Sequence, residues 1–155
     1  MSDGIEPLGS RFDVLTPDVI LSSLEEAYGL VLDGTLQPYP SYVNRVYGVR
    51  TDDGDEYVAK FSRPGRWSLE SIAEEHDFVL DCADAEVPVV APIADEDGFT
   101  LQVTEIEHHE EPVDFPYALY LKRGGRGFDA ERDEDWFRLG SLAGRVHAIA
   151  RRREA

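Results

Sequence analysis

Lys60, in the run YVAKFSRP, is the residue best placed to do chemistry. A bound phosphate needs a flexible point charge on a long stem and a carboxylate that aims it. An acidic helical pattern follows at once and carries the adjacent pair Glu74 and Glu75. Helical spacing separates the two. Glu75 has Ile72, Phe78, Val79 and Cys82 at its neighbouring offsets, whereas Glu74 has Glu70, Ser71, Asp77 and Asp81. Glu75 therefore borders the apolar face and is the geometric partner for Lys60; Glu74 belongs to the solvated face. The plain alternative is an exposed strand lysine beside a solvated helix, since most lysines lie on surfaces. Lysine is scarce here, however: only Lys60 and Lys122 occur, against thirteen arginines.

Other polar residues are weaker candidates. Ser41 opens the segment SYVNR, about two strand lengths before Lys60. Its hydroxyl and the backbone N–H groups around it can meet a phosphate, and an ordinary turn serine is an equally good reading of the same residue. The segment has no glycine, so no G-x-G-x-x-G phosphate loop is present. His108 and His109 precede Glu110 and Glu111, but adjacent residues on extended chain point to opposite faces and do not converge on one ion. His76 lies among acids and reads as helix surface, and His147 flanks an apolar stripe and reads as a packed core or interface histidine. The single cysteine, Cys82, excludes an intrachain disulfide and a Cys-rich zinc site.

The elements that must position Lys60 are legible around it. Thr16, Pro17 and Asp18 start a helix that runs to Tyr28 and stops at Gly29. The proline-broken GTLQPYP reads as an edge strand. Strands follow over 45–50 and 57–62, joined by a turn at Asp53 and Gly54. Alternation then places Val58, Lys60 and Ser62 on one face and Tyr57, Ala59 and Phe61 on the other. Ser68 caps a helix to about Ala83. The run VPVVAP leads to a second hairpin turn at Asp97 and Gly98, with a return strand over 99–103. FPYALYL, continuous and apolar, reads as a strand buried on both faces. KRGGRG is a linker, and a last helix spans 133–151 with Trp136, Leu139, Ala143, Val146 and Ala150 as its stripe. The fold class is α+β with an antiparallel sheet of about five strands.

The 155 residues suit one domain or one large lobe. With 32 acidic and 15 basic residues the net charge is −17, which argues against nucleic acid and anionic membrane partners. Many carboxylates with few lysines point to a protein built for high salt, where screening shortens self-repulsion; the plain alternative is an acidic protein from an arginine-rich proteome. The segment MSDGIEPLGS has no signal-peptide character, no apolar run is long enough to span a bilayer, and the expected location is cytoplasmic.

The blocks SYVNRVYGV, YVAKFSRPGRWS, IAEEHDFVL and EVPVVAPIA, in this order and spacing, resemble the stress response kinase A family. The likeness extends through GGRGF to LAGRVH in the last helix, and LTPDVI near the start is also similar. The family comprises serine/threonine protein kinases of the aminoglycoside phosphotransferase and choline kinase superfamily. The resemblance implies a protein-kinase-like N-terminal lobe over 1–121, a hinge linker over 122–128, and the first helix of a C-terminal lobe over 129–155. It implies ATP and Mg²⁺ as ligands, and a protein serine or threonine hydroxyl as acceptor. Ser41 would contact ATP, Lys60 would be the phosphate lysine and Glu75 its helix partner. Leu121 and Lys122 would lie by the linker whose backbone meets adenine.

One part of the pattern is missing. The family's catalytic loop, H-G-D-x-H-x-x-N, and its later metal-binding aspartate do not occur in this sequence. No catalytic residue and no metal ligand is therefore assigned, and the expectation is an ATP-binding lobe without turnover, the Mg²⁺ ligands belonging to the second lobe. Two alternatives stand beside it: a catalytically dead regulatory module that partners a full-length kinase, and an acidic adaptor without nucleotide binding. An uncovered lobe face would favour a homo-oligomer.

Overall fold

The computed structural model of the chain describes residues 10–108, 111–125 and 127–153. His109 and Glu110 of the weighed metal site, Arg126 of the linker and residues 1–9 lie outside the described residues. A short 3₁₀ turn, Ser10–Val14, leads into α1, Pro17–Tyr28. Thr16 caps α1 by accepting a hydrogen bond from the Val19 N–H, Pro17 occupies its first turn, and Gly29 ends it at φ 63°. That left-handed conformation carries no steric cost for glycine.

Five strands follow in an antiparallel sheet: β1 (Leu32–Tyr39), β2 (Arg45–Thr51), β3 (Glu56–Phe61), β4 (Gln102–Ile106) and β5 (Val113–Leu121), in spatial order β1-β2-β3-β5-β4. Helix α2 (Leu69–Asp84) is inserted after β3, and α3 (Asp133–Arg153) follows β5. Ser68 caps α2 through the Ser71 N–H at 3.1 Å. The β2–β3 turn closes with Gly54 at φ 94°. The proline-bearing β1 lies at the sheet edge, as its composition requires.

The main core lies on one face of the sheet. Ile20 and Leu24 of α1 pack with Val49, Ala59, Phe61, Phe115 and Leu119, all nearly inaccessible to water. The Phe61 and Tyr117 rings stack at 4.9 Å between centroids. Each such side chain contributes roughly 1.5–3 kcal/mol by leaving water. Two polar ties fix α1 in register: the buried Tyr117 hydroxyl donates to the Ser23 carbonyl, and the Ser23 and Thr104 hydroxyls bond at 3.0 Å. β5 is buried over most of its length: β3 and β4 pair its backbone, and Val113, Phe115, Tyr117 and Leu119 pack in the core with α1.

VPVVAP, ahead of the second turn, has no N–H donors at Pro88 and Pro92 and makes only an isolated bridge, between Pro92 and Tyr120. Two expectations need correction. The turn at Asp97 and Gly98 exists, with Asp95 accepting from the Asp97 and Phe99 N–H groups, but the strand after it starts later, at Gln102, and pairs with β5. The stripe of α3 is only partly used. Ile149 and Val146 pack with Cys82, Val87 and Phe78 of the α2 region, whereas Trp136 is 62% and Leu139 39% exposed, and His147 is exposed as well. This second cluster is reinforced by Arg145, which donates to the Glu86 carbonyl at 2.6 Å, and by the Arg153–Asp81 pair at 2.8 Å.

Candidate nucleotide-binding face

The sheet face opposite α1 carries the polar candidates. Strand register sets Lys60 beside Val46 of β2 and Ala118 of β5, and Val58 beside Gly48 and Tyr120. Side-chain alternation sends Phe61 and Ala59 into the core and leaves Lys60 and Val58 on the open face. Helix α2 lies over this face. Lys60 Nζ meets Glu75 Oε1 at 3.4 Å, bringing together two residues 15 positions apart in the chain. The side chains are 28% and 58% exposed, so the pair adds no more than about 1 kcal/mol to stability. Its effect is positional: the carboxylate holds the ammonium over the face.

Tyr120 borders the pair. Burial pushes its phenol up to about 12, and the Glu75 carboxylate adds to the shift, so Tyr120 stays a neutral wall. His76, the next residue after Glu75, is not helix surface. It is 2% exposed, and its Nδ1 lies 2.9 Å from the Thr100 hydroxyl. Burial, and then the charge of Lys60, lowers its pKa, which keeps the imidazole neutral. The expectation overlooked that Ile72, Val79 and Leu80 sit at helical offsets from His76, the signal that would have placed it inward.

Ser41 is half-buried in the β1–β2 connection, at the Lys60 end of the sheet. The connection is tied to the segment after β3 by Asn44, whose Oδ1 accepts from the Arg63 N–H at 3.4 Å. Leu121 and Lys122 sit at the other end of the face. Leu121 pairs with Tyr57 and is 44% exposed. Lys122 donates its N–H to the Glu56 carbonyl and its Nζ to Glu56 Oε1 at 2.7 Å, a bond that raises its pKa. Here a cavity of about 170 Å³ is lined by Gln37, Tyr39, Gly48, Glu56 and Lys122, among others. Tyr39 crosses so close to Gly48 that a Cβ there would meet the phenol ring at 3.0–3.3 Å. Gly48 is thus fixed by close approach, a constraint that sequence patterning did not single out.

The face therefore offers a steered ammonium, an apolar floor of Val46, Val58 and Ala118, and a polar pocket at the far end, a set that suits a phosphorylated planar ligand. Among the described residues, no group of three or more His, Cys, Asp or Glu side chains can hold a metal ion. The described residues offer no such oxygen cluster that would fit Mg²⁺.

Comparison with known proteins agrees with this geometry. Residues 35–155 match the family model "APH: Phosphotransferase enzyme family". The chain is 39% identical over 142 residues to the serine/threonine protein kinase RdoA of Salmonella typhimurium (strain LT2), covering 92% of this chain and 40% of that protein. It is 38% identical over 141 residues to stress response kinase A of Escherichia coli (strain K12), covering 91% and 40%. The chain thus spans about 40% of the length of the curated relatives it matches. Among solved structures, amicoumacin kinase hAmiN in complex with AMP-PNP, Ca²⁺ and Ami has the same fold over 92% of this chain and 41% of its own, with a TM-score of 0.68 at 22% identity. A sheet that carries a lysine aimed by a helix glutamate, on a chain matched by that family model over most of its length, makes this protein a member of the phosphotransferase enzyme family.

Proposed function

We propose that this chain is the ATP-binding lobe of a stress-response serine/threonine protein kinase, which moves the γ-phosphoryl group of MgATP to a protein hydroxyl. The observation that carries the reading is the Lys60–Glu75 pair across β3 and α2. Phosphoryl transfer asks little covalent chemistry of a protein and depends on positioning and charge stabilisation. In this reading Lys60 binds the nucleotide phosphates, and Glu75 holds the ammonium in place. The Ser41 hydroxyl and nearby backbone N–H groups cover the phosphates. Val46, Val58 and Ala118 form the floor under the base, and the backbone at Leu121 and Lys122 meets its edge. Bound Mg²⁺ would supply charge neutralisation between phosphates; none of the described residues is assigned to hold it. Names of the relatives support a protein acceptor and a stress-response role. A cytoplasmic location follows from the same reading; among the described residues no helix is long and apolar enough to cross a membrane.

Calorimetric titration with MgATP tests the proposal. Saturable binding is expected for the natural chain, with at least about a tenfold loss in Lys60→Ala, since a charge-assisted phosphate contact is removed. Equal binding by both proteins would overturn it. Phosphoryl transfer by this chain alone is expected to stay at the level of the blank.

A further inference from the structure

The β2–β3 hairpin is electrically polarised. Its turn holds Asp52, Asp53, Asp55 and Glu56. Its other end is the reverse: residues 41–49 and 57–69 contain Arg45, Lys60, Arg63 and Arg66 and none of the chain's 32 carboxylates. The Asn44–Arg63 bond joins the two loops, so Arg63 and Arg66 lie at one tip; Arg45, opposite Phe61, borders it with its guanidinium taken up over the Phe12 ring, 4.4 Å from the centroid. In a chain of net charge −17, carboxylates are available to neutralise them, yet among the described residues none of these three arginines forms an ion pair.

Two further features mark the tip as a surface that receives something. Arg63 Nε is buried and has no hydrogen-bond partner. Such a donor is costly to leave unpaired, more so on a charged group. The same two loops carry two exposed aromatic rings, Tyr42 at 95% and Trp67 at 63%, with the Arg66 guanidinium 5.9 Å from the centroid of the Trp67 ring. Arginine and exposed aromatic residues are the pairing that anchors protein partners.

We propose that this tip docks an acidic segment of the protein acceptor, with carboxylates flanking the hydroxyl. This rests on the kinase reading and names its substrate class. Arg63 and Arg66 follow Lys60 by three and six residues, so the tip lies at the Lys60 end of the sheet, the end that the proposed function gives to the phosphates. The overall negative charge does not forbid the encounter, because screening at physiological salt limits its reach to about 8 Å. A peptide recognised by two or three local arginines meets the tip before it meets the rest of the field. A nucleic acid, with one charge every few ångströms over a longer track, meets the acidic turn and helices as well.

The test uses three fluorescein-labelled peptides, each with one serine, flanked by glutamates, by glutamines or by lysines, in 0.15 M salt. The glutamate peptide is expected to bind at least about tenfold more tightly than the lysine peptide, and Arg66→Glu to abolish that preference. Arg66 is exposed, so its exchange leaves the fold intact; Arg63→Gln, which keeps a donor, is the second variant and is expected to weaken binding of the acidic peptide severalfold. MgATP titration of both variants is expected to be unchanged, which separates this proposal from the nucleotide reading. No preference for the acidic peptide, an unchanged preference in Arg66→Glu, or equal binding and competition by a single-stranded oligonucleotide would each overturn it.

Discussion

The two faces of β3 belong to the same six residues and do opposite work. Ala59 and Phe61 are sealed under α1 with no measurable exposure, while Lys60 between them faces the space under α2 and keeps 28% of its side chain open. The core face makes hydrophobic contacts that need no partner charge. The open face carries its charge in two pairs, Lys60–Glu75 at 3.4 Å under α2 and Glu56–Lys122 at 2.7 Å at the far end. The alternation of a single strand thus separates the side that carries stability from the side to which the proposed function assigns the nucleotide.

Phe61→Ala attacks the sealed face and is expected to have the largest effect, about 3–5 kcal/mol of lost stability in urea unfolding, since it empties space shared with Tyr47 and Tyr117. A smaller loss would mean that α1 collapses onto the cavity. The next effect lies between the faces, at His76. Burial lowers its pKa, so the fold prefers the neutral ring over an unfolded reference near pH 6.5. Its contribution is full above that pH and is lost as pH falls toward the lower folded value. Urea midpoints measured from pH 8 to pH 5 are expected to fall more steeply for the natural chain than for His76→Gln; parallel profiles would remove the imidazole from the account. The groups that act on it there are Lys60, Glu75 and Asp77, with Thr100 as its hydrogen-bond partner. The smallest effect is expected on the open face: Glu75→Gln is expected to shift stability by less than about 1 kcal/mol, with the comparison sharpened if it weakens MgATP binding at the same time.

Much of this arrangement was legible in the sequence because local signals agree with the global fold. Thr16, Pro17 and Gly29 bounded α1, the Asp53 and Gly54 turn set the hairpin, and helical offsets selected Glu75 over Glu74 as the residue that reaches Lys60. What was not legible depended on distant neighbours. VPVVAP has strand composition but lacks the donors to join a ladder. The α3 stripe is apolar by period, and which of its residues are covered is decided by where α2 ends, at Cys82 and Val87. His76 took its character from Thr100, 24 residues away, and Tyr39 is placed against Gly48 by pairing across the β1–β2 strands. The roles of Ser41, Leu121 and Lys122 came from family resemblance; the structure adds only that they border the same face.

An open five-stranded sheet has two raw borders, and each is a template onto which a foreign strand could add and start an aggregate. Here both are blunted. The β1 border carries Pro38, which has no N–H to offer, and is bent by an irregularity between Leu32 and Leu36. The β4 border is only five residues long and turns Glu105 outward. Edge-to-edge pairing of strands between copies of the protein is therefore disfavoured at both borders.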